Sequence, residues 1–180
     1  MIIRSATAED APSLIALLRR SWLVTMAPEV PFVAVQNFAR EDPATAYVQE
    51  MWQEMVVAGD GSAVAGMLHV VDDVVAAIHV DPRLRGCGIG GALMDFGERE
   101  IFARHAEARL EVLSFNTSAQ AFYRKRGYLE AGRHEADEYG AAVIMIDMVK
   151  ARPADALRTS PPAPSQLPAT RQIAHRPSKE

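Results

Sequence analysis

Residues 80–91 run V-D-P-R-L-R-G-C-G-I-G-G, a combination of types suited to holding a phosphate-bearing ligand. Gly86, Gly88, Gly90 and Gly91 let the backbone approach a ligand closely, and from about Ile89 the pattern L-M-x-F-x-x-x-E-I-F is helical. A glycine-rich turn feeding a helix presents unpaired N–H groups and the positive end of the helix dipole. Arg83 and Arg85 add fixed charge whose geometry suits phosphate oxygens, so a pyrophosphate is the expected guest. A P-loop is excluded because no Lys-Ser or Lys-Thr follows these glycines. The dinucleotide fingerprint is set aside, because its third glycine falls on Gly91 and the acidic residue about 20 positions on is only Glu107 or Glu111. What fits is R-x-x-G-x-G/A, twice in overlapping register, from Arg83 through Gly86 and Gly88 and from Arg85 through Gly88 and Gly90.

The elements around this turn follow from periodicity. Residues 74–80 (V-V-A-A-I-H-V) are β-branched and nearly uncharged, as in a buried strand, and Pro82 ends them because it cannot donate to a sheet ladder. Residues 54–58 and 63–71 precede them as strands, joined by G-D-G and D-D turns into an antiparallel meander. Residues 2–4 form a short first strand, and Thr7 with Asp10 caps a helix whose apolar side chains Leu14, Leu17, Leu18 and Trp22 share one face. Pro28, Pro31 and Pro43 break the next stretch into helical pieces over 33–38 and 44–52. Residues 128–131 and 141–149 close the sheet, with a turn over 135–140.

A length of 180 residues and 49% hydrophobic content imply a single domain with a real core. No run reaches the roughly 18 apolar residues of a membrane span and the first residues lack a signal-peptide core, so no membrane association and a cytoplasmic location are expected. Cys87 is the sole cysteine, which excludes an internal disulfide. His69 and His79 stand alone, no His/Cys/carboxylate spacing suits a metal, and none is expected. From residue 151 onward five cations face two carboxylates, leaving a charge of −7 on residues 1–150 from the total of −4. That balance disfavours nucleic acid as a partner and suits a cationic amine, though an acidic surface is also an ordinary solubility device. Residues 151–180 hold six of the eleven prolines and few large apolar side chains, the composition of a Pro/Ala/Ser-rich flexible tail.

The doubled R-x-x-G-x-G/A turn resembles that of the GCN5-related N-acetyltransferases, the GNAT family. The likeness continues through 110–116 (L-E-V-L-S-F-N), similar to that fold's fifth strand, and 116–128 (N-T-S-A-Q-A-F-Y-R-K-R-G-Y), similar to its next helix. The resemblance implies an α/β (α+β) GNAT fold over residues 1–150: a mixed, mostly antiparallel central sheet of six to seven strands, flanked by about four helices, with strands 4 and 5 splayed. It implies an enzyme that moves the acetyl group of acetyl-coenzyme A to a primary amine by direct transfer in a ternary complex, with homodimers common among its members.

By the same resemblance, the backbone of Leu84, Arg85, Gly86, Cys87, Gly88, Ile89, Gly90 and Gly91 would hold the pyrophosphate, with Arg83 beside it. Val80 would face the pantetheine arm, the Ile78 N–H the acetyl oxygen, and His79 lies between them; Asn116, Ala119, Phe122 and Tyr123 would bound the coenzyme from the following helix. Tyr123 is the implied general acid, with a packed helix tyrosine as the alternative, and Asn116 equally suits a helix cap. Cys87 is either a tuned thiol or simply a small residue in the loop. Many relatives carry a glutamate on the fourth strand roughly where Val74 stands, so the general base stays open among Asp73, His79, Glu111 and a water chain to a distal carboxylate. A small-molecule amine is the expected acceptor. A protein N-terminus or lysine, and a non-catalytic acyl-coenzyme A sensing module, are the alternatives. Trp22, Met26, Phe32, Phe38, Tyr47 and Trp52 are equally an acceptor lining or core.

Overall fold

The computed structural model describes residues 1–61 and 63–154. Seven strands, β1 (Ile2–Ser5), β2 (Met55–Gly59), β3 (Val64–Val71), β4 (Val74–Val80), β5 (Glu107–Leu113), β6 (Leu129–Glu138) and β7 (Ala141–Ala151), form one sheet in the order β1-β2-β3-β4-β5-β7-β6. Every neighbouring pair is antiparallel except β4 and β5.

Alternation assigns the two faces. On β5, Ala108, Leu110 and Val112 are buried while Glu107, Arg109 and Glu111 are exposed. The buried row packs with Leu93, Met94 and Ile101 of α4 (Ile89–Phe102) and Tyr123 of α5 (Thr117–Lys125). Across the sheet, α1 (Ala11–Thr25) and α3 (Pro43–Met51) cover β2 and β3, with Leu14, Leu17 and Val48 against Met55, Val57 and Met67. Ala34 of α2 (Phe32–Glu41) seals the far end of this face against Val143 and Leu113. Between these covers, the middle of β5 and β7 stays open, as a 390 Å³ groove bounded by Val74, Arg109, Glu111, Asp147 and Val149.

The described residues hold five α-helices, with the stretch after α1 broken into separate α2 and α3 as the prolines imply. Asp42 between them adopts a left-handed φ of 46°, Pro43 follows, and Arg19 grips the Asp42 carboxylate. β6 runs on to Glu138, well beyond the expected 128–131, and the turn shrinks to Tyr139 and Gly140 with φ of 58° and 86°. The polar residues that suggested a long turn belong instead to an edge strand, where charge on an exposed backbone edge is favourable. β7 extends to Ala151, and Arg152 N–H still donates to Ala106, so the sheet reaches past the expected boundary at 150. The remainder of the expected tail, 155–180, lies outside the described residues.

Helix α4 sits unusually close to the sheet. A Cβ at Gly97 would lie 2.8 Å from Leu68 Cδ2, and one at Gly66 3.0 Å from the His79 carbonyl oxygen and from Ile89 and Leu93. Glu98 then ties three elements, accepting from Arg126 Nε at 3.0 Å after α5 and from Lys150 Nζ at 2.6 Å on β7. All three side chains are mostly buried, so removing the carboxylate strands charge out of water. Glu98→Ala is expected to cost about 3 kcal/mol in a urea titration, with little change for the exposed neighbour Glu100→Ala.

Candidate active site

Parallel pairing of β4 with β5 is confined to Val74↔Arg109 and Val75↔Leu110; beyond them the strands part. At the closed end of this pairing Asp73 holds Arg109, its carbonyl accepting from Arg109 N–H at 2.8 Å and its carboxylate lying 3.3 Å from Arg109 Nε. On the other edge of β4, Asp81 N–H donates to Ala65 O at 2.9 Å, so the backbone groups of Asp81 face β3. By the alternation of an antiparallel ladder those of His79 do so too, and the N–H and C=O groups of Ile78 and Val80 point to the edge that β5 has left. An extended amide-bearing arm pairs naturally with such an edge.

The edge leads directly into the glycine turn. Gly86 and Gly88 hold φ of 81° and 80°, and a Cβ at Gly86, Gly88 or Gly91 would meet no atom within 4 Å. This leaves an open cradle in front of the first N–H groups of α4, where an anion is favoured. Leu84 ends the short helical turn before it and Cys87 is exposed within it. A Cβ at Gly90 would come 3.6 Å from Val80 Cγ2 and 3.7 Å from Phe122 Cζ, so β4, α4 and α5 converge at the floor of the cleft, where Ile89 and Ala119 also pack.

The arginines of the turn are already engaged. Asp81, 3% exposed, accepts from Arg83 N–H, from Arg83 Nη2 at 2.7 Å and from Arg20 Nη1 at 2.5 Å. Hydrogen bonding to Arg83 holds its carboxyl far below the usual carboxylate range, against the opposing effect of burial. Arg83 therefore braces the turn instead of standing free beside it. Arg85 donates to Thr25 Oγ1 at 2.9 Å, and these two with Asn116 and Ser118 bound a 160 Å³ pocket at the cleft mouth. Asn116 Oδ1 accepts from Ala119 N–H at 3.2 Å and so caps α5. Tyr123 is buried, its hydroxyl pushed up to about 12 by burial, and it keeps its proton near neutrality.

Glu111 is the first β5 residue past the split, and its side chain lies on the open face. There it meets His134 of β6 and Asp147 of β7, the three offering nitrogen and oxygen atoms within 4.8 Å of one another. This cluster is the one His/carboxylate meeting of its kind among the described residues, and its members come from three strands, which sequence spacing conceals.

Residues 13–128 match the family model described as the acetyltransferase (GNAT) family. The chain belongs to the GNAT acetyltransferases. It is 24% identical over 149 residues to the peptidyl-lysine N-acetyltransferase YjaB of Escherichia coli strain K12, covering 81% of this chain and 94% of that protein. Among solved structures, a GCN5-related N-acetyltransferase from Rhodopseudomonas palustris superposes with a TM-score of 0.72 at 21% identity, covering 84% of this chain and 95% of that one. The PaiA N-acetyltransferase of Thermoplasma acidophilum, solved with coenzyme A, gives 0.62 at 22% identity, covering 84% and 98%.

Within this acetyltransferase, the groups considered as bases fall in different surroundings. Asp73 is committed to Arg109. His79 turns toward α1, its Nδ1 2.9 Å from Ser21 Oγ, and burial of the ring lowers its pKa to about 4, which makes it a poor proton acceptor. His69, 1% exposed, sits between Tyr47 Oη at 2.5 Å and Glu54 at 3.4 Å; burial lowers its pKa too, against the pull of Glu54. Glu111 combines a place at the split with a carboxylate that pairs with no Lys or Arg among the described residues.

The aromatic residues also divide. Trp22 stacks on Phe38 at 3.8 Å, Tyr139 meets both rings edge-on, and with Met26 they wall the site beside Leu113 and Phe115 at the end of β5. Tyr47 and Trp52 pack with the α1–α3 core instead, and Phe32 is 73% exposed. Arg20, His134 and Asp147 were missed from sequence, since each gains its place through a partner more than a dozen residues away. Among the described residues no helix is long and apolar enough to cross a membrane.

Buried His69 and half-buried His79 both have lowered pKa values in the fold, whereas the unfolded chain takes up protons near pH 6.5. Unfolding therefore binds protons below that value, so stability is full above about pH 6.5 and declines toward pH 4. A loss on the order of 2 kcal/mol from His79 is expected over that window. Urea midpoints measured from pH 7.5 to 4.5 check it, and His79→Gln should flatten the slope.

Proposed function

We propose that this enzyme carries the acetyl group of acetyl-coenzyme A directly to the side-chain amine of a lysine within a peptide or protein, in a ternary complex. The observation that carries the reading is the unpaired edge at Ile78 and Val80 ending in an open glycine turn at a helix N-terminus. A ligand with an anion at one end and an amide-bearing arm at the other fits it end to end. The neighbour from Thermoplasma acidophilum, solved with coenzyme A, has the same fold. A lysine in a protein, rather than the small amine expected from sequence, is supported by the name of the Escherichia coli relative. Leu23, Val24, Phe32 and Val33, exposed at the end of α1 and the start of α2, suit contact with a macromolecule.

Acetyl-coenzyme A supplies an activated thioester. The Ile78 N–H, aimed at the open edge, stabilises charge growing on the acetyl oxygen. Glu111 takes a proton from the acceptor ammonium, and the freed nitrogen lone pair forms the C–N bond as the C–S bond breaks. The Tyr123 hydroxyl gives its proton to the departing sulfur and is reprotonated by the second hydrogen lost from the new amide nitrogen.

Three outcomes are expected. Thiol release from acetyl-coenzyme A should be stimulated by lysine-bearing peptides far more than by free small amines or by peptides whose lone amine is the N-terminus; turnover with small amines alone would overturn the acceptor class. Tyr123→Phe should lower kcat roughly a hundredfold with acetyl-coenzyme A affinity unchanged, while an unaltered kcat removes Tyr123 from the mechanism. Acetyl-coenzyme A should slow alkylation of Cys87, read by mass spectrometry, because the thiol is exposed within the glycine turn.

A further inference from the structure

We infer that His134 and Asp147 form the outward path for the acceptor's proton, with His134 as a positioning residue that receives the proton from Glu111 and releases it to water. The inference rests on the reading of Glu111 as the base. Glu111 and Asp147 are direct cross-strand partners on one face of the sheet, an arrangement of like charges that destabilises an antiparallel pair. No Lys or Arg pairs with either among the described residues. The nearby Arg109 is turned to Asp73 and Glu107. His134 is their shared partner, with Nδ1 3.3 Å from Asp147 Oδ1 and Nε2 3.9 Å from Glu111 Oε1.

The backbone is built to bring the imidazole there. Pairing of β6 with β7 shifts by one residue between Glu130 and Gly132, so that Glu130 opposes Met148 but Gly132 opposes Asp147 and His134 opposes Met145. Without the shift His134 would oppose Ile144 and face away from Asp147, since a one-residue slip moves every later side chain to the other face. Gly132 makes room as well, because a Cβ there would lie 2.9 Å from Asp147 Oδ2. With its Nδ1 hydrogen directed at Asp147, His134 presents the Nε2 lone pair toward Glu111. The 3.9 Å separation is the looseness usual for such pairs before substrate binds, and Glu111, more than half exposed, is free to close it.

The balance of the transfer requires that one proton leave the site. An alkylammonium loses two hydrogens on becoming an amide. One ends on the coenzyme sulfur, through Tyr123; the other leaves the site, from nitrogen to the Glu111 carboxylate, to His134 Nε2, and from the partly exposed ring to solvent. The charged groups facing the ring are Glu111 from β5 and Asp147 from β7.

The test is the kcat and kcat/KM pH profile of His134→Ala and His134→Gln, with lysine peptide as acceptor, beside Glu111→Gln. For both His134 variants kcat should fall roughly tenfold to a hundredfold, as outer partners of catalytic groups do, with the KM for acetyl-coenzyme A unchanged. The shape of the acid limb should change in both variants, and added imidazole should restore part of kcat in His134→Ala. A fully inactive Glu111→Gln beside His134 variants of normal kcat and unshifted profile overturns the relay and leaves the base in place. Normal kcat in Glu111→Gln overturns the base reading itself. A lower unfolding midpoint in the His134 variants, with kcat and profile intact, reduces the imidazole to a neutraliser of the two carboxylates and likewise overturns the relay.

Discussion

The constraint on which this structure turns is the parting of two parallel strands after two residue pairs. A strand released in mid-sheet carries a row of backbone donors and acceptors without partners, which proteins normally avoid. Here the last contact before the release is Val75↔Leu110, and Asp73 holds Arg109 at the closed end of the same short pairing. The elements of the proposed site are arranged around that gap. The glycine turn lies at one end, α4 and α5 close it from one face, and the open groove with Glu111 adjoins it on the other.

Electrostatics divide along the same line. Behind β4, charge is locked: Asp81 is shared by Arg20 and Arg83, and the two imidazoles facing α1 and α3 stay neutral. Beyond the split, the carboxylates of Glu111 and Asp147 are exposed and short of cations. Under the proposed function, a cationic acceptor would meet unbalanced negative charge on the open side and an anionic donor would meet helix N–H groups on the other.

What was legible in the sequence was local. The glycine turn, the β-branched run before it and the one-sided helix carrying Leu14, Leu17, Leu18 and Trp22 each declare themselves within a dozen residues, and all stand where they were expected. The family landmarks at Asn116 and Tyr123 fall on a helix that begins and caps as anticipated. What was hidden depends on register. The reach of β6 was obscured because E-A-D-E has the composition of a turn but the backbone of an edge strand. His134 joins Glu111 only through a one-residue shift between β6 and β7, which no periodicity along a single segment reveals. Arg83 looked like a free phosphate ligand because its partner, Asp81, is two residues away in a turn whose shape had to be seen.

The strand order has a further consequence, for the route by which the chain assembles. β1 to β4 form an antiparallel run in which the β2–β3 and β3–β4 links are local, whereas β7 threads between β5 and β6 despite following both in the chain. Until β7 emerges, β5 has only a two-residue hold on the sheet, and non-local pairing of that kind is slow. One wall of the cleft therefore belongs to the half that can form early during synthesis and the other to the half that must wait, so the cleft is the seam between two stages of folding.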